Sequence, residues 1–362
     1  MEIVATKRKP VRATSGGPSP DTGFPNGPRP ILKPVTWREE LKRAVRNKSQ
    51  LLAAVGLTGN EAVSGNHVAR KAASAFPVFA PWPFIGRMRR GDDADPLLRQ
   101  VLAVPEEQMP ASGFSSDAVG DSSATLSPGL IKKYGGRALL VTTGACAVHC
   151  RYCFRRHFPY SEGPRSPDDW QPALDLIAAD NTIEEVLLSG GDPLTLVDEH
   201  LAELTSRLAK IPHVRRLRIH TRLPIVIPQR VTDELLGWLR GTRLTPIVVI
   251  HANHPNEIDE PTAAALSKLV DAGVPLLNQA VLLRGVNDSA EALIGLSRRL
   301  VDLRVMPYYL HQLDRVAGAA HFEVPISRGI ELVQAMRRAL PGYAVPRYVQ
   351  EVAGDEHKRV LA

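Results

Sequence analysis

From residue 137 onward, apolar β-branched runs return at a regular beat, and that beat restricts the fold more than any other feature of the chain. The runs cover residues 137–143, 185–189, 216–220, 246–251, 275–283 and 304–310, and helical patterns separate them at 168–179, 198–209, 232–239, 261–272, 289–302 and 327–340. From the second run on, starts recur roughly every 30 residues, the length of one βα unit. The expectation is an α/β fold with a mainly parallel sheet. Six units suit an incomplete parallel (β/α)6 barrel; a doubly wound sheet fits the same beat, so periodicity alone does not choose.

Upstream the pattern changes. Residues 1–34 hold seven prolines, several glycines and no apolar period, and read as a disordered tail. Residues 35–125 read as an N-terminal helical and cap region. A helical pattern runs from Trp37 to about Phe76 with Thr36 as N-cap candidate, and irregular loops follow. The barrel then occupies 126–340, and 341–362 form a C-terminal segment. The net charge of +7 invites a nucleic-acid reading, but Lys7, Arg8, Lys9, Arg12, Arg29 and Lys33 against Glu2 and Asp21 place +4 of it in the first 35 residues. Neither nucleic acid nor membrane is an expected partner. No stretch approaches the ~18 apolar residues of a membrane helix, and the N-terminus lacks a signal-peptide core, so a cytoplasmic location with reduced thiols is expected.

Polar residues gather where the runs end. Cys146 follows the first, Ser189–Asp192 end the second, and His220–Arg222 end the third. His251 closes the fourth, Gln279 lies in the fifth, and Tyr308, His311 and Asp314 lie at or past the end of the sixth. In parallel barrels the C-terminal strand ends carry the active site, so these residues should meet at one mouth, as in an enzyme.

All three cysteines of the chain, Cys146, Cys150 and Cys153, fall within eight positions as C-x3-C-x2-C. Three thiolates on a [4Fe–4S] cluster would hold three irons and leave the fourth open to a small molecule. Structural zinc wants four protein ligands; no further cysteine exists, though His149 or His157 could complete such a site.

With this loop after the first strand, and with "SGGDP" at 189–193, the chain resembles the radical S-adenosylmethionine (SAM) superfamily. The resemblance implies that the open iron is chelated by the amino and carboxylate groups of SAM, and that one electron from the cluster cleaves the sulfonium to a 5′-deoxyadenosyl radical. It narrows further. "CRYCFRRHFPY", "LSGGDPL", "RLPIVIPQR", "HANHPNEI", "NQAVLLRGVND", "VMPYYLHQLD" and "GYAVP" occur in the order seen in the lysine 2,3-aminomutase family. "ADPLLRQVL", "IKKYGGRALL" and "AGAAHF" are most similar to its short branch, whose β-lysine is attached to elongation factor P. The likeness covers about residues 35–362.

The resemblance implies pyridoxal 5′-phosphate (PLP) as a further cofactor, resting on a lysine. "EVAGDEHKRV" aligns that lysine with Lys358, although the family's glycine run is reduced here to Gly354, followed by Asp355, Glu356 and His357. Arg137 matches an arginine on the cofactor phosphate, with Lys133 and Tyr134 close by. Ser189, Gly190, Gly191 and Asp192 match the segment at the methionyl amino group, and His251 and Gln279 match SAM-contacting positions. Arg155 matches the arginine that takes the substrate carboxylate, a task suited to a planar two-pronged donor. Asp314 matches one carboxylate at the ε-ammonium of L-lysine; Glu351 falls where longer members have aspartate. His311 replaces a family tyrosine, which leaves its role open.

The expected activity is therefore conversion of L-α-lysine to β-lysine for modification of elongation factor P. An electron donor such as flavodoxin is implied, and so is a ligase that attaches the product. The alternative is an aminomutase acting on lysine or another amino acid, such as glutamate, to supply a free β-amino acid. Asp314 with Glu351 favours a cationic side chain over glutamate. The chain stops four residues after Lys358, before the C-terminal extension of longer members, so a different assembly is expected and the oligomeric state stays open.

Overall fold

In the computed structural model, strand order follows chain order without reversal. The described residues are 35–58, 76–164 and 166–362. The expected disordered tail at 1–34, and residues 59–75 of the expected helical region, lie outside them. Seven strands pair in parallel: β3 Arg137–Thr143, β4 Glu185–Gly190, β5 Arg216–Thr221, β6 Thr245–His251, β7 Leu276–Val281, β8 Met306–His311 and β9 Arg347–Gln350. Short antiparallel strands finish both edges. β1 Thr125–Ser127 and β2 Leu130–Ile131 lie beside β3, and β10 Arg359–Val360 lies beside β9. A doubly wound sheet needs a point where the order reverses. None exists in the order β1 to β10, which ends without β10 returning to β1. The sheet is a partial barrel.

Helices Gln171–Ala179, Asp198–Ala209, Asp233–Arg240, Glu260–Asp271, Ala290–Asp302 and Ile326–Ala339 make the crossovers. Each lays an apolar stripe on the sheet; in Asp198–Ala209 the buried stripe is Leu201, Leu204 and Leu208, at helical spacing. Thr232, Asp259 and Ser289 cap their helices through side-chain oxygens, which fixes where three crossovers begin. Along β5, Leu217, Ile219 and Thr221 are buried, whereas Arg216, Arg218 and His220 are only half-buried. β4 and β7 alternate in the same way. Fully covered parallel strands are usually apolar on both faces. Here the half-buried face carries Ser189 of β4, His220 of β5 and Gln279 of β7 among its residues.

The structure differs from the sequence pattern in four places. β1, β2 and β10 are two or three residues long, too short to show alternation. β9 follows Pro346, which reads as a breaker, and adds a seventh parallel strand. The first crossover helix starts at Gln171 because Pro167–Trp170 form a 3-10 turn. The helical region from Trp37 divides into Trp37–Arg43, with Thr36 and Glu39 forming a capping box, and Lys48–Ala54 capped by Asn47. The break lets Val45 pair with Ala80. Val35–Ala362 form one compact unit, and no helix among the described residues is long and apolar enough to cross a membrane.

Candidate active site

The loop after β3 carries the three cysteines, all free and half-buried. Two of its arginines anchor it. Arg151 donates through Nε to Glu107 Oε1 at 2.8 Å, and Arg156 donates through Nη2 to Glu107 Oε2 at 2.7 Å. Arg156 also reaches the Gly318 carbonyl at 3.0 Å. His149 and His157 each place one ring nitrogen on a backbone carbonyl, that of Pro77 at 2.8 Å and that of Ala317 at 3.0 Å.

β4 ends packed directly on this loop. The Gly191 and Asp192 N–H groups donate to the carbonyls of Thr143 and Ala145, both at 2.7 Å. A Cβ on Gly191 would lie 2.2 Å from the Ala145 oxygen, and Gly190 sits at φ +123°, where a side chain is strained. The Asp192 carboxylate accepts from Thr221 Oγ1 at 2.7 Å, from the Arg222 N–H at 2.6 Å and from the N–H groups of Leu194 and Leu223 at 3.1 Å. It thus fastens the ends of β4 and β5 together. Gly191→Ala is expected to push the cysteine loop away, at a cost of about 1–3 kcal/mol for overpacking. Thermal unfolding and iron content should fall together; a variant with normal melting and normal iron would show that the close approach is dispensable.

A chain of alternating charges crosses the site. Arg155 donates through Nε to Asp121 Oδ2 at 2.7 Å and through Nη1 to Ser189 Oγ at 3.1 Å. Asp121 Oδ1 lies 2.7 Å from Lys133 Nζ, Lys133 lies 3.7 Å from Glu351, and Glu351 pairs with Lys358. Tyr134 donates to Glu351 Oε1 at 2.6 Å, and the Arg137 guanidinium lies 4.5 Å over the Tyr134 ring. Burial pushes Glu351 up, but Lys358, Tyr134 and Lys133 outweigh it and hold its carboxyl below the usual range. Asp314 behaves oppositely. Burial pushes it up to about 7, with Glu351 adding to the rise and Lys358 and Lys133 opposing it.

Imidazoles line the other side. Gln279 Nε2 lies 2.9 Å from His251 Nε2, and His220 meets the His251 ring edge-on at 5.9 Å. Burial keeps all three imidazoles neutral, with His251 pushed down to about 3 and His220 and His311 also well below their ordinary value. The Nε2 atoms of His220 and His311 are buried without a protein partner.

Residues 140–296 match the model of the Radical SAM superfamily. The chain is 46% identical over 332 residues to an L-lysine 2,3-aminomutase of Haemophilus influenzae, spanning 92% of this chain and 97% of that one. The corresponding protein of Escherichia coli is 44% identical over 325 residues, 90% of this chain and 94% of that one. One from Clostridium subterminale is 36% identical over 324 residues, 89% of this chain and 76% of that one. The chain belongs to the lysine 2,3-aminomutase family of radical SAM enzymes. Family membership makes it an isomerase of the aminomutase type and implies a [4Fe–4S] cluster, SAM and PLP as cofactors.

The residues present fit those groups. Burial pushes the Cys146 thiol up, with Cys153, Asp192 and Cys150 adding to it, and it pushes Cys153 up to about 11 with Cys150 adding. Bare thiolates at these two positions are thus disfavoured, and a cationic core that replaces the protons is accommodated. Among the described residues no three His, Cys, Asp or Glu side chains are gathered around one metal ion. Each cysteine would bind a different iron of a cluster, so the three need not converge on one ion. For PLP and the amino acid, a family member must supply both cations and carboxylates. Lys133, Arg137, Arg155 and Lys358 lie in one region with Asp314 and Glu351. Asp121, Glu107 and Glu257 were not legible as site residues, because each acts through a partner more than 30 positions away. His220 is among the strand-end residues expected at the mouth, and it shares the half-buried face of β5 with Arg216 and Arg218.

Proposed function

We propose that the chain converts L-α-lysine to β-lysine, which a separate ligase then attaches to elongation factor P. The observation that carries the substrate reading is the charge chain from Arg155 to Lys358, with Asp314 beside its far end. Such a site suits a molecule with a carboxylate at one end and an ammonium at the other. The short-branch motifs support the destination of the product, and they point to a cytoplasmic enzyme reduced by a donor such as flavodoxin.

In this reading Cys146, Cys150 and Cys153 hold the cluster, and the segment Ser189–Asp192 with His251 and Gln279 faces SAM. Lys358 carries PLP, and Lys133, Tyr134 and Arg137 face its phosphate. When bound, these groups supply an electron, a carbon radical and a carrier for the migrating nitrogen. The protein's own work is orientation. Arg155 has its Nε committed to Asp121 and its Nη1 steadied by Ser189, which fixes the plane it offers to the substrate carboxylate. Glu351 and Asp314 are the two carboxylates that would take the ε-ammonium of lysine, beside the Lys358 that would hold the cofactor.

Asp314 gives this reading a pH signature. Burial raises its carboxyl to about 7, and an ammonium binds the ionised form. Substrate binding should therefore strengthen as pH rises through that value, by about tenfold in KM from one unit below to one above. By linkage, the ligand-free fold contributes the opposite trend. A carboxyl raised in the folded state loses stability as pH rises from the ordinary carboxylate range through about 7. A KM for lysine that stays flat over this interval would count against Asp314 at the ammonium.

The direct test is anaerobic reconstitution with L-lysine followed by product identification. For the destination, the gene is deleted in its host and elongation factor P is weighed intact. Loss of a lysyl-sized mass that returns on feeding β-lysine is expected. An unchanged mass, with β-lysine missing only from the free pool, would assign the enzyme to free β-amino acid supply.

A further inference from the structure

Arg222 follows β5, and its backbone N–H is held by Asp192, which also braces the glycine turn. Its side chain is buried between Phe84 and Tyr152, with ring centroids 5.3 and 5.8 Å from the guanidinium carbon. Nη1 donates to Cys150 Sγ at 2.7 Å. Nη2 donates to Glu257 Oε2 at 2.9 Å and to Gln100 Oε1 at 2.6 Å. Glu257 is fully buried, and its other oxygen accepts from Gln100 Nε2 at 3.1 Å and from the N–H groups of Asn253 at 2.9 Å and His254 at 3.1 Å.

Burying this pair costs desolvation that apolar residues of the same size would avoid. The Arg222 Nε hydrogen, moreover, is left buried without a partner. The arrangement is a fixed dipole, with its positive end on a thiol and its negative end farther away. Arg151 and Arg156 differ in this respect, since they spend their guanidinium groups on Glu107 and on carbonyl oxygens.

We propose that Arg222, pinned by Glu257, is a positioning residue that raises the reduction potential of the cluster held by Cys150. The inference rests on the cluster assignment above. One-electron reduction makes the cluster more negative by one charge. A hydrogen-bonded cation on a ligand sulfur stabilises that form, because hydrogen bonds to sulfur and local charge set cluster potentials. Glu257 opposes the effect from a greater distance, while holding the cation in place.

The experiment is a dithionite redox titration, followed by electron paramagnetic resonance, of the reconstituted full chain. Arg222→Gln is expected to move the midpoint negative, lowering the ratio of reduced to oxidised cluster about tenfold at fixed potential, or 59 mV for one electron. Glu257→Gln is expected to move it positive by less. Arg222→Lys keeps the charge but has no fork to bridge Cys150 and Glu257, so its midpoint should fall between wild type and Arg222→Gln. If Arg222→Gln assembles no cluster, the lysine variant and Glu257→Gln decide the matter through their opposite signs. A purely structural role would lower cluster occupancy without opposite shifts. Unchanged midpoints, or shifts of one sign in the Arg222 and Glu257 variants, overturn the proposal. A Cys150→Ala protein with an unaltered cluster signal would overturn the ligand assignment and the proposal together.

Discussion

Cys150→Ala should abolish reductive cleavage of SAM, and Cys146→Ala and Cys153→Ala should do the same. The three thiols are the chain's whole supply, so no other cysteine can replace a lost ligand. Cys150 has a further consequence of its own. Its removal leaves the Arg222 Nη1 hydrogen buried without the sulfur it now meets, which costs about 1–3 kcal/mol for an unsatisfied donor. Iron analysis, electron paramagnetic resonance and assay of 5′-deoxyadenosine formation check the expectation. Full iron with undiminished cleavage in any one variant would remove that cysteine from the ligand set.

The second large effect is expected at Lys358. Lys358→Ala should lose covalently fixed PLP after borohydride treatment and fall at least about a thousandfold in rate, more than 4 kcal/mol of barrier. Stability must be read separately, because Lys358 is the cation nearest Glu351, and Glu351 is 9% exposed at its side chain. Breaking a buried pair from one side typically costs ~3–5 kcal/mol, although Tyr134 and Lys133 remain to share the carboxylate. Lys358→Arg separates the two effects. It restores a cation to Glu351, so melting should recover, yet a guanidinium cannot carry the cofactor, so activity should stay lost. A borohydride-labelled peptide that contains a different lysine would move the assignment.

What the sequence made legible follows from distance along the chain. Six of the parallel strands and the crossover helices were readable because burial imposes a local period, and the limits of those strands differ from the expected runs by at most two residues. The cysteines, the Ser189–Asp192 turn, His251 and Gln279 stand out as candidates because each lies in a strand, at its end or in the loop just after it. The partners of the charged residues were not. Asp121 is an acid in a polar turn with no periodicity to mark it, and only the fold brings it to Arg155 and Lys133. Glu107 and Glu257 look like surface acids of short 3-10 turns, yet both are buried under arginines. The sequence marks the Ser189–Asp192 segment as a candidate ligand contact, but gives no sign that it is a clasp. Two of its N–H groups and the Asp192 carboxylate are engaged with the protein itself.

The alternating run Arg155–Asp121–Lys133–Glu351–Lys358 has a bearing on how this enzyme can diverge. Every interior member touches two neighbours of opposite sign, so a substitution at one position changes the environment of the next. Residues this close to one another do not mutate independently. A laboratory selection for an acidic substrate would therefore meet strong epistasis. Replacing Asp314 or Glu351 singly by a base would strand charge beside Lys358 and Lys133, while paired exchanges could keep the region neutral at each step. The accessible route to a new substrate runs through compensated double changes, and libraries varied one codon at a time should return mostly inactive protein.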